Sequence, residues 1–424
     1  MERRLEDRRL GRQDFSKPGG SGLASAALLG MAGRAIAATS HSGQGSPSGS
    51  SGMSISRQEW GSVDDEPVHL YTLSNGRMTV EITNYGSTVV SILVPDSAGR
   101  VDNVALGFSS LEGYVENATN PADGGSGTTY FGAAIGRYGN RIANGRFRLN
   151  GKTCELPVNN GPNTLHGGPG AFNMRVWGAA PEEGPNSVAL ELACTDPGGH
   201  NGFPGTVETE VTYTLSRDDE LRIDYRATTD QTTVINLTNH TYFNLAGEGS
   251  GNVYGHLLQI NAGSYTPTDE TQIPTGEISS VEGTPFDFRT AKPIGRDIRE
   301  KDEQLVRAHG YDHNWVLDGS GMRLISSVED PQSGRVLLTY TDQPGVQFYS
   351  GNFLVGELVG KGGNTYRQGD GFALETQHFP NSPNQPDFPS TVLNPGDEFT
   401  STTIYGFSTA GSPDLQAART AHIS

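Results

Sequence analysis

Side chains that can carry acid–base chemistry stand where apolar runs are interrupted. Glu375 follows the apolar residues 372–374 in "GFALETQHFP", and a loop rich in proline and asparagine comes directly after it. A carboxylate at the end of an apolar strand is usually solvated or paired with a cation. The loop, however, is typical of the rim of a pocket, where a poorly hydrated glutamate can act as a base.

Two histidines are further candidates. His240 lies in "INLTNHTYFNLAG", where Asn239 and Tyr242 also interrupt an apolar run, and His166 precedes two glycines in "NTLHGG". Buried polar groups need partners, so His240 can be read as a satisfied core histidine and His166 as a turn histidine. Because histidine changes its charge near neutral pH, either can also serve as an acid or a base.

Arg141 and Asp312 add charge to this set. The segment "GRYGNRIANGRF" around Arg141 lacks both the G-K-[ST] ending and the G-x-G-x-x-G spacing of nucleotide-binding loops. In "GYDHNWVL", Asp312 comes just before an apolar run, and the nearby histidines form no H-E-x-x-H motif, so no metal site is predicted. Carboxylates, amides and aromatics together suit a polar, uncharged, polyhydroxylated ligand.

The elements that must position these residues are strands. Apolar and polar residues alternate in many short runs separated by turn residues, which predicts an all-β sandwich. Short helices are expected only near residues 109–116 and 297–305. The clearest runs are "RMTVEIT", "SVALELACT", "TVETEVTYTLS", "LRIDYRATT", "RVLLTYTD", "GVQFYSG" and "GFALETQ".

Composition narrows the functional class. The 424 residues include 57 glycines and 24 prolines, which suits many tight turns, and the net charge of −18 disfavours binding to nucleic acid. No apolar run of about 20 residues predicts a membrane span. Only two cysteines occur, Cys154 and Cys194, so a zinc ribbon is excluded, whereas a single disulfide in an exported protein stays open.

The chain divides by composition into four parts. Residues 1–38 have the basic, apolar and small-residue order of a signal peptide, and residues 39–59 are rich in serine and glycine, as in a linker. One β domain is expected over residues 60–410, and residues 411–424 form a tail. We therefore expect export to the periplasm or the extracellular space, or a cytoplasmic protein if the N-terminal segment is not a signal.

Several of these segments resemble the aldose 1-epimerase family, also called the galactose mutarotase family. They occur in the order of that family and span residues 67–408. The matching segments are "GRYGNRIANGRF", "NTLHGG", "NLTNHTYFNLAG", "YTPTDETQIPTGE" with "GTPFDFR", "GYDHNWVL", "GVQFYSGN" and "GFALETQHFPNSPNQPDFPS".

The resemblance implies a large antiparallel β-sandwich, the galactose mutarotase-like supersandwich. It also implies interconversion of the α and β anomers of free aldohexoses, without cofactor or metal. It implies that Glu375 is the general base, that His240 is the general acid, and that His166 is a second histidine at the sugar ring. The implied partner is a monosaccharide bound by a monomer or homodimer. The implied sugar-contacting positions are Asn140, Arg141, Tyr242, Asp312 and Gln347.

Three other functions fit the residues less well. A hexose-6-phosphate 1-epimerase needs an added cationic pocket for the phosphate. A non-catalytic carbohydrate-binding sandwich needs no acid–base pair. A glycoside hydrolase or lyase that uses Glu375 and Asp312 needs the two carboxylates at a suitable separation, which a sequence does not give.

Overall fold

The computed structural model of the protein describes residues 52–119 and 128–412. Its strands pair in antiparallel fashion, and three sheets account for most of them, so the predicted all-β sandwich is confirmed. No helix among the described residues is both long enough and apolar enough to cross a membrane. The expected signal peptide at 1–38, residues 39–51 of the expected linker and residues 413–424 of the expected tail lie outside these ranges.

The three sheets have five, nine and six strands. The five-stranded sheet runs in the order Ser54–Val63, Glu66–Ser74, Thr79–Thr83, Thr88–Pro95 and Val101–Asn103. The nine-stranded sheet runs in the order Gly178–Glu183, Ser187–Asp196, Val207–Ser216, Glu220–Thr229, Phe399–Thr409, Arg335–Thr341, Arg323–Glu329, Leu257–Ile260 and Lys292–Pro293. The six-stranded sheet runs in the order Tyr242–Phe243, Phe372–Gln377, Gly345–Tyr349, Asp312–Val316, Ser264–Thr266 and Ser279–Ser280.

Short strand pairs and helices complete the described fold. The pairs are Arg141–Ile142 with Thr164–Leu165, Ala134–Ile135 with Thr238–Asn239, Thr233–Val234 with Val392–Leu393, Arg146–Leu149 with Lys152–Glu155, and Val355–Val359 with Thr365–Arg367. The α-helices are Leu111–Thr119 and Glu303–Ala308, and the 3₁₀ helices are Ala143–Gly145, Phe172–Met174, His200–Gly202 and Ser382–Asn384. The second α-helix begins later than expected because the Asp302 side chain caps its first turn.

The first strand corrects the expected domain boundary. It begins at Ser54, inside the range 39–59 that composition assigns to a linker, and Ser54 pairs with Ser74 while Glu59 pairs with His69. Most of its side chains are exposed, so its composition is as polar as that of a linker. What makes it a strand is the backbone pairing with the next strand, and composition alone does not report that pairing.

The six-stranded sheet separates the core from a polar face. Along the strand Phe372–Gln377, the side chains of Phe372 and Leu374 enter the main hydrophobic core, which they share with the nine-stranded sheet. The hydroxyl of Tyr405 donates to the Leu374 carbonyl at 3.0 Å and ties the two sheets together. Since side chains alternate along a strand, Glu375 is held on the opposite face.

The two cysteines lie on separate strands. Cys154 is part of Lys152–Glu155 and Cys194 is part of Ser187–Asp196. Both thiols are free, so no disulfide joins them in this structure.

A buried ion pair anchors the chain that leads into Arg141. The Arg137 guanidinium has no exposed surface and donates from Nε to Oδ2 of Asp196 at 2.8 Å. It also donates to the Pro204 carbonyl at 2.8 Å, and Arg175 donates to the other oxygen of Asp196 at 2.6 Å. This network joins the segment before Arg141 to the nine-stranded sheet.

Replacing Asp196 by alanine is expected to lower the free energy of unfolding by about 3–5 kcal/mol, because Arg137 would stay buried without a counter-charge. Urea denaturation measures the loss. The control is Asp224→Ala, which removes a partly exposed pair with Arg222 and is expected to cost less than about 1 kcal/mol. Equal, small losses in both variants would show that the buried pair does not anchor the segment.

Candidate active site

A cavity of about 600 Å³ lies over the polar face of the six-stranded sheet. Several segments that are distant in sequence line it, and it brings together seven of the eight predicted site residues. These are Asn140, Arg141, His166, His240, Tyr242, Asp312 and Glu375.

Glu375 lies inside its strand rather than at the strand end. The strand continues to Gln377, and the Glu375 side chain is only 2 % exposed although it lines the cavity. Burial raises the pKa of Glu375 well above its ordinary value, the nearby Asp312 adds to that rise, and Arg141 opposes it. The carboxyl group is therefore poorly hydrated, as a reactive base must be.

His240 faces Glu375 across the cavity floor. It lies between the short strands Thr238–Asn239 and Tyr242–Phe243, where its backbone N–H donates to the Ala133 carbonyl at 3.0 Å. Its Nε2 is 3.6 Å from Oε1 of Glu375. Burial lowers the pKa of His240 to about 4. The two groups thus form a buried pair, in which one can take a proton from a bound ligand and the other can donate one to it.

His166 is held with one ring nitrogen fixed. The backbone N–H of Asn140 donates to Nδ1 of the His166 ring at 3.2 Å, and the backbone N–H of His166 donates to the Asn140 carbonyl at 3.1 Å. Burial lowers the pKa of His166 well below its ordinary value, and the nearby His240 and Arg141 add to that effect. A neutral ring whose Nδ1 accepts carries its proton on Nε2, so His166 is a hydrogen-bond donor.

The turn after His166 requires glycine. His166 itself has φ 52° and Gly167 has φ 84°. A Cβ at Gly167 would collide with the backbone carbonyl of Gly136, so a larger residue would push these two backbone segments apart. The glycines in "NTLHGG" therefore serve the placement of the histidine as well as a surface turn.

Arg141 and Asp312 form a connected polar wall. The Arg141 Nη1 is 3.5 Å from Oδ2 of Asp312, its Nε donates to Oδ1 of Asn160 at 3.0 Å, and its Nη2 donates to the side-chain oxygen of Gln272. Gln347 donates to Oδ1 of Asp312 at 2.7 Å. Gln347 is not among the residues that line the cavity; it lies beside Glu375 in register, on the strand between those that carry Glu375 and Asp312.

Several cavity residues were not predicted from the sequence, among them Tyr130, Asn160 and Gln272. The Tyr130 ring lies 4.6 Å from the His166 ring and 5.9 Å from the His240 ring, between centroids, and Gln272 holds Arg141. Gln272 stands within the matching segment "YTPTDETQIPTGE", and Tyr130 ends the stretch that precedes "FGAAIGR". For Gln272 the matching segment was an available signal, whereas Tyr130 lies outside the matching segments, and the direction of a loop side chain cannot be read from a sequence.

The side chains of His166, His240 and Glu375 are also of the types that bind metal ions. One ligand atom each from His166, His240 and Glu375 lie within 4.8 Å of one another. Binding a metal through Nε2 of His166 would move the ring proton to Nδ1, where the Asn140 N–H already points. The cluster therefore fits proton transfer better than metal coordination.

The sandwich holds a buried carboxyl–imidazole pair in a polar cavity. The sequence profile of the aldose 1-epimerase family matches residues 69–406. The chain is 45 % identical over 344 residues to the galactose mutarotase of Bos taurus, covering 81 % of this chain and 95 % of that protein. It is 40 % identical over 349 residues to the aldose 1-epimerase of Escherichia coli K12, covering 81 % and 96 %.

Solved structures agree with these sequence relatives. The galactose 1-epimerase of Lactobacillus acidophilus NCFM superposes with a TM-score of 0.73 at 28 % identity, covering 84 % of this chain and 99 % of that chain. The aldose epimerase homologue of C. elegans gives 0.70 at 30 % identity, with 79 % and 97 % covered. The chain belongs to the aldose 1-epimerase family, and it is an isomerase.

Replacing Gln272 by leucine is expected to raise the KM for sugar by roughly 10-fold, because Arg141 loses an acceptor and hydrogen bonds to charged groups contribute about 1.5–3 kcal/mol. The kcat should change little, since the Glu375–His240 pair is untouched. Steady-state mutarotation kinetics separate the two constants. In the control Gln385→Leu, the lost amide donates to the Pro274 carbonyl of the same loop, and both constants should stay near wild type. An unchanged KM in Gln272→Leu would contradict this role for Gln272.

Proposed function

We propose that this isomerase interconverts the α and β anomers of free aldohexoses, with glucose and galactose as substrates. The observation that carries the proposal is the 3.6 Å contact between Nε2 of His240 and Oε1 of Glu375 on the floor of a sugar-sized cavity. Relatives named galactose mutarotase and aldose 1-epimerase support the same reaction. The wall of amide, guanidinium and carboxylate groups suits sugar hydroxyls.

The reaction needs a base and an acid at the same ring. The reactive form is the one in which Glu375 is ionised and His240 is protonated. Glu375 then takes the proton from the anomeric hydroxyl while the C1–O5 bond breaks and its electron pair moves to O5, which receives a proton from His240. The C1–C2 bond of the open aldehyde then rotates, and O5 attacks the other carbonyl face as both protons return. A positioned acid and base contribute about 10²–10⁴-fold to such a rate.

His166 has a separate task in this scheme. Its Nε2–H is directed by the contact that Asn140 makes with Nδ1. A neutral donor beside the anomeric centre stabilises negative charge that develops on the sugar oxygen during ring opening. Because the Asn140 N–H occupies Nδ1 of His166, this ring cannot carry a proton on both nitrogens without losing that contact, so it does not compete with His240 as the acid.

The alternatives meet specific obstacles in the described cavity. A hexose phosphate needs cationic groups, and Arg141 is the one lysine or arginine among the described lining residues. Its guanidinium is already engaged by Asp312, Asn160 and Gln272. A glycoside hydrolase that uses Asp312 would need that carboxylate free, whereas Gln347 and Arg141 both contact it. A pure binding module has no use for a desolvated acid–base pair.

Localisation and assembly are proposed on sequence grounds. We propose export, with cleavage of the signal-like segment at 1–38, and a monomer or homodimer in solution. N-terminal sequencing of the secreted or periplasmic protein would detect the cleavage. A mature chain that still begins at Met1 would overturn it and favour a cytoplasmic protein.

Glu375→Gln and His240→Ala are each expected to lower kcat by about 10²–10⁴-fold, because each removes one of the two proton-transfer groups. The exchange rate between the anomers of glucose at equilibrium, measured by NMR, gives turnover directly. Circular dichroism and the melting temperature check that both variants fold. A folded variant that exchanges the anomers at the wild-type rate would exclude that residue from proton transfer.

His166→Gln is expected to retain far more activity than His166→Ala, since the glutamine amide can place an N–H near the position of Nε2. Loss of such a donor costs about 10²–10³-fold in kcat. Both variants keep a β-carbon in the left-handed backbone conformation of residue 166, so they are matched for backbone strain. Equal losses in the two variants would show that donation from Nε2 is not what His166 supplies.

A further inference from the structure

A row of buried polar side chains runs across the six-stranded sheet behind Glu375. Glu375 pairs in register with Gln347, Gln347 pairs with Asn314, and Asn314 pairs with Thr266. Residues in register share a face, and Gln377 follows on that face two positions after Glu375. All five residues are at most 2 % exposed.

These side chains carry polar atoms that have no hydrogen-bond partner within residues 52–119 and 128–412. Buried polar groups are nearly always paired, and an unpaired one costs about 1–3 kcal/mol. Buried water normally satisfies such groups, because one molecule can make about three hydrogen bonds. The atoms are Oε2 of Glu375, Oε1 of Gln347, Nδ2 and Oδ1 of Asn314, Oγ1 of Thr266, and Nε2 and Oε1 of Gln377.

The absence of a side chain at Gly345 leaves room for one member of this row, Asn314. Gly345 pairs in register with Gln377, and a Cβ at Gly345 would collide with Oδ1 of Asn314. The Asn314 amide therefore occupies the space above Gly345, where a side chain would otherwise lie beside Gln377. The Phe379 ring also borders this position, at 3.0 Å from the same Cβ. The polar row is thus bounded by the sheet on one side and by an aromatic ring on another.

We propose that Asn314, Gln347 and Gln377 bind water behind Glu375, and that this water donates to Oε2 and holds the carboxylate in its ionised form. The inference rests on the proposed function, because it explains how the base of that reaction is kept charged. Asn314 and Gln377 are positioning residues in this account, since neither lines the cavity. The site is a water site, and water is the ligand that the mixture of donors and acceptors would take.

The electrostatics show why such a site is needed. Burial and Asp312 raise the pKa of Glu375 well above its ordinary value, whereas the proposed base must be ionised. Hydrogen bonds to a carboxylate favour its charged form. The variants described below leave the other ionisable groups around Glu375 unchanged. These groups are Arg141, His166, His240, Tyr242, Asp312 and Tyr405.

The test is the pH profile of kcat/KM for Gln377→Leu and Asn314→Leu. Removing amides that hold the water disfavours the ionised carboxylate, so the pKa of Glu375 should rise and the acid limb should move to higher pH. A shift of about one unit makes kcat/KM about 10-fold lower at pH values below the limb. The value on the plateau should stay close to wild type, because the cavity wall is unchanged.

Two further variants separate a water site from a structural role. Asn314→Ser keeps a hydroxyl and makes room for water, so it should retain the wild-type acid limb. Thr339→Val removes an equally buried, unpaired hydroxyl from the nine-stranded sheet and should leave the profile unchanged. If the leucine variants lower only the melting temperature and keep the wild-type acid limb, the proposal is overturned.

A titration without substrate separates this inference from the proposed function. Infrared difference spectra against Glu375→Gln isolate the carboxyl band of Glu375, and its titration should move to higher pH in the leucine variants. That result is independent of turnover, whereas absence of mutarotation in the wild type would overturn the function alone. If the leucine variants do not fold, a high-resolution crystal structure of the wild type decides. Water within hydrogen-bond distance of Oε2 supports the proposal, and direct packing without water overturns it.

Discussion

The candidate active site depends on one constraint: Glu375 must stay out of bulk water and still be ionised when it takes a proton from the ligand. Glu375 is 2 % exposed and its Oε1 lies 3.6 Å from Nε2 of His240, so the charge of each group affects the other. Burial favours the neutral form of both side chains, which is why the pKa of one rises and that of the other falls. Anything that solvates the carboxylate shifts the proton towards the imidazole, and that distribution is the one the proposed reaction uses.

The sandwich meets this constraint through strand alternation. Leu374 and Thr376 fix the strand from the core side, and Glu375 between them is directed to the cavity. The loop that carries His240 and the paired segments of Arg141 and His166 bring the other groups to the same face. Because these segments come from distant parts of the chain, the site exists only when the whole sandwich has formed.

The sequence predicted the parts of this arrangement that have local signals. Alternating runs indicated the strands, and the interruptions at Glu375, His240 and His166 indicated residues that meet in the cavity. The position of a residue relative to neighbouring strands and loops had no such local signal. Gln347 lies behind the cavity wall because of strand register, Tyr130 and Gln272 enter it from loops, and Ser54 starts a strand through backbone pairing alone. The misses at Gln347, Tyr130 and Gln272 reflect contacts between segments distant in the chain, whereas Ser54 begins a hairpin strand whose mostly exposed side chains carry no apolar pattern.

Polarimetry of freshly dissolved α-D-glucose and α-D-galactose tests the central claim most directly, with buffer and heat-denatured protein as references. The account predicts that the native protein accelerates relaxation of the optical rotation of at least one free sugar well above both references. It also predicts no comparable acceleration on glucose 6-phosphate, because Arg141 is already engaged by Asp312, Asn160 and Gln272. Relaxation of both free sugars at the buffer rate would contradict the account.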